Sequence, residues 1–287
     1  MKGRVPRGLL LTVLCEVLLA PTLVAQGEGS LPALLGSVRG AGMGGAGAAL
    51  VGDAGAIFAN PAGLATIHHL AVEGAYESYP AGTTLSTGAL ALRVNRFTWG
   101  AGAAAVGSSY NQADLLGVSS LVFRTGLVAL GTSVKYARES LGGARLDAWA
   151  GDAGLAVAVF DLMAFGVSVQ NIGGDLGAGF HLPRRTRAGF TLNYVDPQGT
   201  YRLLTTLEGQ WPSGGSAFVI LGVETGMVTH GLGLLARAGY VGHSVSTAAS
   251  PFTAGASVEL GRLHLDYAYR DDDVLRARHR LGLRWTP

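Results

Sequence analysis

From His69 to Trp285 the chain runs as roughly fourteen short segments in which every second residue is apolar, the period of a strand with one greasy and one wet face. The last two segments carry the pattern most plainly. Leu263, Leu265, Tyr267 and Tyr269 alternate with His264, Asp266 and Ala268; Leu281, Leu283 and Trp285 alternate with Arg280, Gly282 and Arg284. Such a chain folds as antiparallel sheet, and the open question is whether its apolar face meets a protein core or lipid.

Composition decides for lipid. The chain is 48% hydrophobic and only 14% charged, well below the roughly 25% charged residues of soluble domains. Past residue 25, however, Gly, Ser, Thr and charges interrupt every stretch before it reaches the ~18 apolar residues of a membrane-spanning helix. The remaining solution is a closed barrel of strands, and the 45 glycines suit its crowded, tilted backbones.

The N-terminus reads as an export leader over residues 1–25. Lys2, Arg4 and Arg7 precede an apolar Gly8 to Leu19, and Pro21 to Ala25 ends in a small residue, so the mature chain is expected to start near Gln26. The single cysteine, Cys15, falls in this leader, which leaves the exported chain without disulfide or thiol chemistry. A formal net charge of +2 without a basic stripe argues against nucleic acid as a partner.

Breaks between strands alternate in length. Tight connections fall at Asn95-Arg96, Thr125-Gly126, Phe160 to Leu162, Asp196 to Gly199, Thr229 to Gly231 and Gly261-Arg262. Longer ones fall at Tyr79 to Gly82, Ser109 to Ala113, Arg138 to Gly143, Ile172 to Leu182, Pro212 to Gly215, Ser244 to Pro251 and Arg270 to Ala277. Outer-membrane barrels have short periplasmic turns, longer external loops and an even strand number, so both termini are expected in the periplasm. The expected organisation is a leader over 1–25, an N-terminal hatch segment over 26–68, and a transmembrane barrel of about 14 strands over 69–287.

Charges within the strands mostly fall on the phase opposite the apolar residues, which points them into the lumen. The polar lumen candidates are Arg187, Arg202, Glu208, Glu224, Arg237, Glu259, His264, Asp266, Arg280 and Arg284, with Glu73, Arg93, Lys135 and Asp152 on the same phase. Facing lipid near the midplane, an Arg or Lys would cost about 2–4 kcal/mol. The segments Phe97 to Gly107 and Asp114 to Arg124 are too small or too mixed in character to assign a phase. If Gly261-Arg262 is a two-residue turn, it pairs Glu259 with His264 and Ser257 with Asp266. Trp99, Trp149, Trp211 and Trp285 are candidates for interfacial aromatic girdles.

Between leader and strands lies the most specific stretch: Arg39, the glycine-rich Gly42-Met43-Gly44-Gly45-Ala46, Asp53-Ala54, Phe58, and Asn60-Pro61-Ala62-Gly63-Leu64. Glycines here permit close backbone approach or positive φ, Pro61 holds Asn60 extended, and Asn60 can bond its own backbone in a turn. A short small-residue helix is expected around Gly45 to Val51. This stretch resembles the N-terminal signature of the PorV/PorQ family of bacterial outer-membrane proteins, related in fold to the FadL long-chain fatty-acid transporters. Leu265 to Tyr269 and His279 to Trp285 resemble that family's final hairpin, although this chain continues with Thr286-Pro287. The resemblance implies a fourteen-stranded barrel with an inward-folded hatch whose motif residues are Arg39, Gly42, Gly44, Gly45, Asp53, Asn60, Pro61 and Ala62.

Other chemistries are poorly supported. Gly40 to Gly45 matches a dinucleotide fingerprint but has no preceding strand or alternating helices. His68-His69 lacks further metal ligands. Serine, histidine and carboxylates recur in barrel lumens because the wet face needs polar groups. The expectation is therefore a non-enzymatic protein with neither cofactor nor metal. Its expected partners are outer-membrane lipid and a small hydrophobic ligand that it binds or passes. The alternative is a component of a type IX-like secretion or surface-attachment system with secretion-system proteins as partners, and the short external loops favour the first reading.

Overall fold

The computed structural model describes residues 35–79, 83–108, 111–141, 144–159, 162–177, 179–196, 199–242, 249–272 and 277–287. The expected leader and residues 26–34 of the expected hatch segment lie outside them.

Fourteen strands close into one antiparallel barrel. In chain order they are β1 (Leu70–Ser78), β2 (Thr84–Val94), β3 (Phe97–Ser108), β4 (Asn111–Thr125), β5 (Val128–Leu141), β6 (Ala144–Val159) and β7 (Met163–Ile172). After a small separate hairpin of β8 (Asp175–Gly177) and β9 (Phe180–His181) follow β10 (Arg185–Asn193), β11 (Tyr201–Pro212), β12 (Phe218–Thr229), β13 (Leu232–Gly242), β14 (Ala249–Leu260), β15 (Leu263–Asp272) and β16 (Arg278–Trp285). The barrel closes where β1 pairs with β16, Val72 opposite Trp285 and Ser78 opposite His279. Closure leaves no sheet edge to lipid along the ladder, the condition for spanning a bilayer with strands. Among the described residues no helix is long and apolar enough to cross.

The outer face is apolar. Leu121, Leu130, Leu221, Leu234, Leu281 and Leu283 all stand exposed on it. The four tryptophans point outward too, Trp99 and Trp285 toward the end with tight turns, Trp149 and Trp211 toward the other, with Trp149 66% exposed. Two aromatic belts flanking an apolar band match a bilayer's two interfaces. The inner face carries the charges: Lys135, Asp152, Arg187, Glu208, Glu224, Arg237 and Asp266 are all buried. At Gly261-Arg262 the turn pairs Glu259 with His264 and Ser257 with Asp266, as a two-residue connection requires.

Three features depart from expectation. The loops expected at Ser109 to Ala113 and Arg138 to Gly143 are largely strand, because β3 runs to Ser108, β4 starts at Asn111, β5 reaches Leu141 and β6 starts at Ala144. These strands rise past Tyr136 and Trp149, so length alternation does not hold there. One tight turn is Gly126-Leu127, a residue later than expected, since Thr125 still pairs with Val128. The excursion after β7 holds its own hairpin, β8–β9, whose flanks Leu176 and Leu182 are buried against inner-face residues of the wall.

The described part of the N-terminal segment lies inside the barrel. It contains α1 (Val38–Gly42), capped by the Ser37 side chain accepting from the Gly40 N–H, and two 3₁₀ turns, Ala54–Phe58 and Pro61–Thr66. Thus the expected helix at Gly45 to Val51 is absent. Gly44 and Gly45 take positive φ of 78° and 86°, which ends helical geometry. The N–H groups of Gly47 and Ala48 instead donate to Glu208 of the wall, at 2.7 and 2.6 Å.

Candidate functional site

Six charges from opposite ends of the sequence form a closed ring in the lumen. Arg39 of α1 donates to Glu224 of β12 at 2.9 and 2.7 Å. Glu224 accepts from Arg237 of β13 at 2.6 Å, and Arg237 donates to Asp266 of β15 at 2.8 Å. Asp266 lies 3.5 Å from Arg284 of β16, Arg284 donates to Asp53, and Asp53 closes the circuit to Arg39 at 3.8 Å. Three guanidiniums alternate with three carboxylates, so every charge has opposite neighbours. Buried ions need this, because desolvation otherwise exceeds Coulomb attraction. Burial opposes the charge on Arg39, but Glu224 and Asp53 outweigh it and hold its pKa above the ordinary arginine value.

Beyond the ring the wall satisfies the segment's backbone. Glu73 accepts from the Gly55 N–H at 2.8 Å. Gln170 donates to the Phe58 carbonyl and Ser168 to that of Ala59. Thr253 accepts from the Gly44 N–H and donates to the Gly42 carbonyl. Asn60, fully buried, donates to the Ala48 and Leu155 carbonyls and accepts from the Ala62 N–H at 3.0 Å. These backbone groups of an irregular segment are buried against the wall, and each bond left unmet there would cost about 1–3 kcal/mol.

Close approach depends on inward glycines of the wall. A Cβ on Gly131 would lie 2.6 Å from the Ala62 nitrogen, and one on Gly222 would lie 2.7 Å from the Met43 Cβ. Gly154 underlies Asn60, Gly166 underlies Ala48, Gly239 underlies Gly44 and Gly255 underlies Gly42.

The candidate residues therefore divide into groups. Arg39, Asp53, Glu224, Arg237, Asp266 and Arg284 share the ring. Arg187 and Glu208 form a separate pair at 3.3 Å beside Gly45 and Gly47. Arg280 stands nearer the long-loop end and donates to the Gly36 carbonyl at 2.6 Å. Toward the tight-turn end lie Arg202 and the Glu259–His264 pair at 3.0 Å. Gly42, Gly44, Gly45, Pro61 and Ala62 supply backbone contacts. Glu77, Gln170, Ser168, Thr253 and the inward glycines were not singled out from the sequence; strand phase marks all of them as inward, but nothing marks what they touch.

Cavities lie on both sides of the segment. The one toward the long-loop end, about 240 Å³, is lined by Gly36, Ser37, Gly40, Asp53, Leu50, Phe218, Ile220, Val241 and several arginines. The one toward the tight turns, about 220 Å³, is lined by Arg39, Arg202, Leu203, Leu204, Glu224, Leu235, Arg237, Glu259 and Arg284. Residues of α1 face both. His68 and His69 are exposed at the tight-turn rim, and among the described residues no cluster of His, Cys, Asp or Glu is arranged to hold a metal ion.

No protein-family model and no curated protein sequence matches this chain. Solved structures do. The toluene transporter TbuX of Ralstonia pickettii superimposes over 88% of this chain and 98% of its own, with a TM-score of 0.59 at 14% sequence identity. The toluene transporter TodX of Pseudomonas putida covers 88% of this chain and 99% of its own, with a TM-score of 0.60 at 12% identity. At such identities the likeness establishes a shared fold: a closed fourteen-stranded antiparallel barrel.

Proposed function

We propose that this is a bacterial outer-membrane protein that binds and passes small hydrophobic molecules through a lumen hatched by its N-terminal segment, with both termini periplasmic. The observation that carries this reading is the cavity above α1, where Phe218, Ile220 and Val241 of the wall and Leu50 of the N-terminal segment form an apolar side. A barrel passing only water and ions has no use for apolar lining, whereas a ligand site is built from such a wall with a few convergent polar groups. The fold shared with two toluene transporters supports it. The ring and the Arg187–Glu208 pair serve as anchors of the segment, which supports a non-enzymatic role for these charges. The test is entry of radiolabelled toluene into proteoliposomes: the reading expects faster entry with the protein than with empty vesicles, and equal rates would overturn it.

A second reading, a partner in protein secretion consistent with the PorV/PorQ-like signature, is favoured by one observation. β6 pairs with β5 from Ala144 onward but with β7 only from Gly151, so its leading residues project past β7 with only the β8–β9 excursion beside them, and such a projecting rim suits addition of an extended peptide strand. Pulldown of secretion components from the native membrane would support it, and their absence would count against it.

A further inference from the structure

The two ends of the barrel handle charge differently. At the long-loop end arginines meet acids: Arg138 donates to Asp147 at 2.7 Å, and Arg278 and Arg280 stand 4.0 and 3.8 Å from Glu77. At the tight-turn end Arg93, Arg96, Arg124, Arg202 and Arg262 have no carboxylate in ion-pair range among the described residues. Three of them turn inward onto backbone: Arg93 donates to the Asn95 and Ile67 carbonyls, Arg124 to those of Gly126 and Ala65, and Arg202 to those of Gly199 and Tyr201. Carbonyls satisfy donors without cancelling charge. Glu259, which lines the cavity toward the tight turns with Arg202, is itself held by His264 at 3.0 Å.

Arg96 and Arg262 stand exposed in the β2–β3 and β14–β15 turns, on either side of the seam where β1 pairs with β16. Residues 92–98, 260–264 and 285–287 contain no acidic side chain. Lipid-facing apolar surface adjoins each arginine: Val94, Phe97 and Trp99 beside Arg96, and Leu260, Leu265 and Trp285 beside Arg262, 43–60% exposed. We propose that this rim docks anionic phospholipid, Arg96 and Arg262 each taking the phosphate of one head group while the aromatic belt packs against the upper chains. The inference rests on the reading of the barrel as embedded in a membrane, and is independent of what the lumen carries. An arginine stem can lie along apolar surface while its guanidinium reaches the head-group layer, and the planar fork matches phosphate oxygens in pairs. A zwitterionic lipid brings its own cation to that phosphate; a net-anionic lipid does not. Four strand spacings separate the two turns, on the order of 20 Å, so each arginine serves its own lipid. Both stand at the outer edge beside lipid-facing surface, which favours lipid over an acidic protein covering the mouth. The three inward arginines add to the positive field at the same level.

The test places the full-length protein in lipid discs of phosphatidylcholine mixed with phosphatidylglycerol of the same chains, and counts retained lipids by native mass spectrometry. Phosphatidylglycerol is expected to be enriched roughly fivefold over its bulk share, the fold-change given by about 1 kcal/mol per arginine near an anionic surface. Added salt should shrink that enrichment. Arg96→Gln combined with Arg262→Gln is expected to remove most of it, with the heat-dependent gel shift of a folded barrel retained. Arg138→Gln, at the opposite end, is expected to leave it unchanged. Equal retention of the two lipids by the unaltered protein at low salt overturns the inference and leaves the transport reading intact. Enrichment that survives the double variant, or that Arg138→Gln removes as fully, overturns it likewise. A protein that enters discs of neither lipid overturns the membrane reading as well.

Discussion

The lumen holds one segment by two different kinds of physics. Against β2 to β5 the fit is apolar: Ile57, Phe58 and Leu64 pack on Leu85, Ala89, Ala104, Leu116 and Val118, and Leu176 and Leu182 of the β8–β9 excursion join the same cluster. Against β11 to β16 it is ionic: Arg39 and Asp53 complete a ring whose other members are Glu224, Arg237, Asp266 and Arg284. Apolar contact holds the segment without specifying direction. A charge ring specifies register, because sliding the segment by one position would take Arg39 from Glu224 and Asp53 from Arg284, two buried wall charges. The ionic half also borders both cavities, so the side that fixes register is the side that shapes the space proposed for a ligand.

Mutations that separate the halves should rank by how much each side leaves unsatisfied. Glu224→Ala strands Arg39 and Arg237 in a buried site and is expected to cost about 3–5 kcal/mol, read from urea unfolding in detergent. On the apolar side Leu64→Ala, at a fully buried position, is expected to cost about 2–5 kcal/mol by the same measurement, and the loss should be insensitive to salt. Asn60→Ala leaves the Ala48 and Leu155 carbonyls without their donor, an expected loss of about 1–3 kcal/mol; hydrogen exchange should rise at Ala62, whose N–H bonds to the Asn60 side chain. Tyr267→Phe removes the outer-surface bond to His279, 2.7 Å long, and should change stability by no more than about 0.5 kcal/mol. A loss at Tyr267 rivalling that at Glu224 would erase the distinction between lumen anchoring and surface decoration.

The same division governs what could be read from the sequence. Strands β11 to β16 alternate cleanly because their lumen face is charged and their lipid face apolar, and even the pairing of Glu259 with His264 follows from the turn. Strands β3 and β4 do not alternate, and the reason is now visible: Val118, Val122, Leu116 and Ala104 face inward onto Ile57, Phe58 and Leu64, so both faces are apolar and the period vanishes. Long strand ends were hidden likewise, since Arg138 and Asp147 pair beyond the aromatic belt and look like loop residues in a sequence. Glycine could be recognised as important in Gly42 and Gly44, but their seats, Gly255 and Gly239, lie more than 190 residues away along the chain. Sequence distance, not residue type, concealed the site's other half.

The account stands on the N-terminal segment occupying the lumen in one register, and a crosslink measures that directly. A Cβ built on Gly282 of β16 lies 3.3 Å from the Val38 Cβ in α1, close to the 3.5–4.5 Å of a disulfide. With Cys15, the one cysteine of the sequence, replaced by Ser, Val38→Cys with Gly282→Cys provides the single pair of thiols. Mild oxidation of the folded protein is predicted to join them nearly completely, seen by mass spectrometry as one linked peptide. Two free thiols in a protein that still shows the folded barrel's gel shift would contradict it.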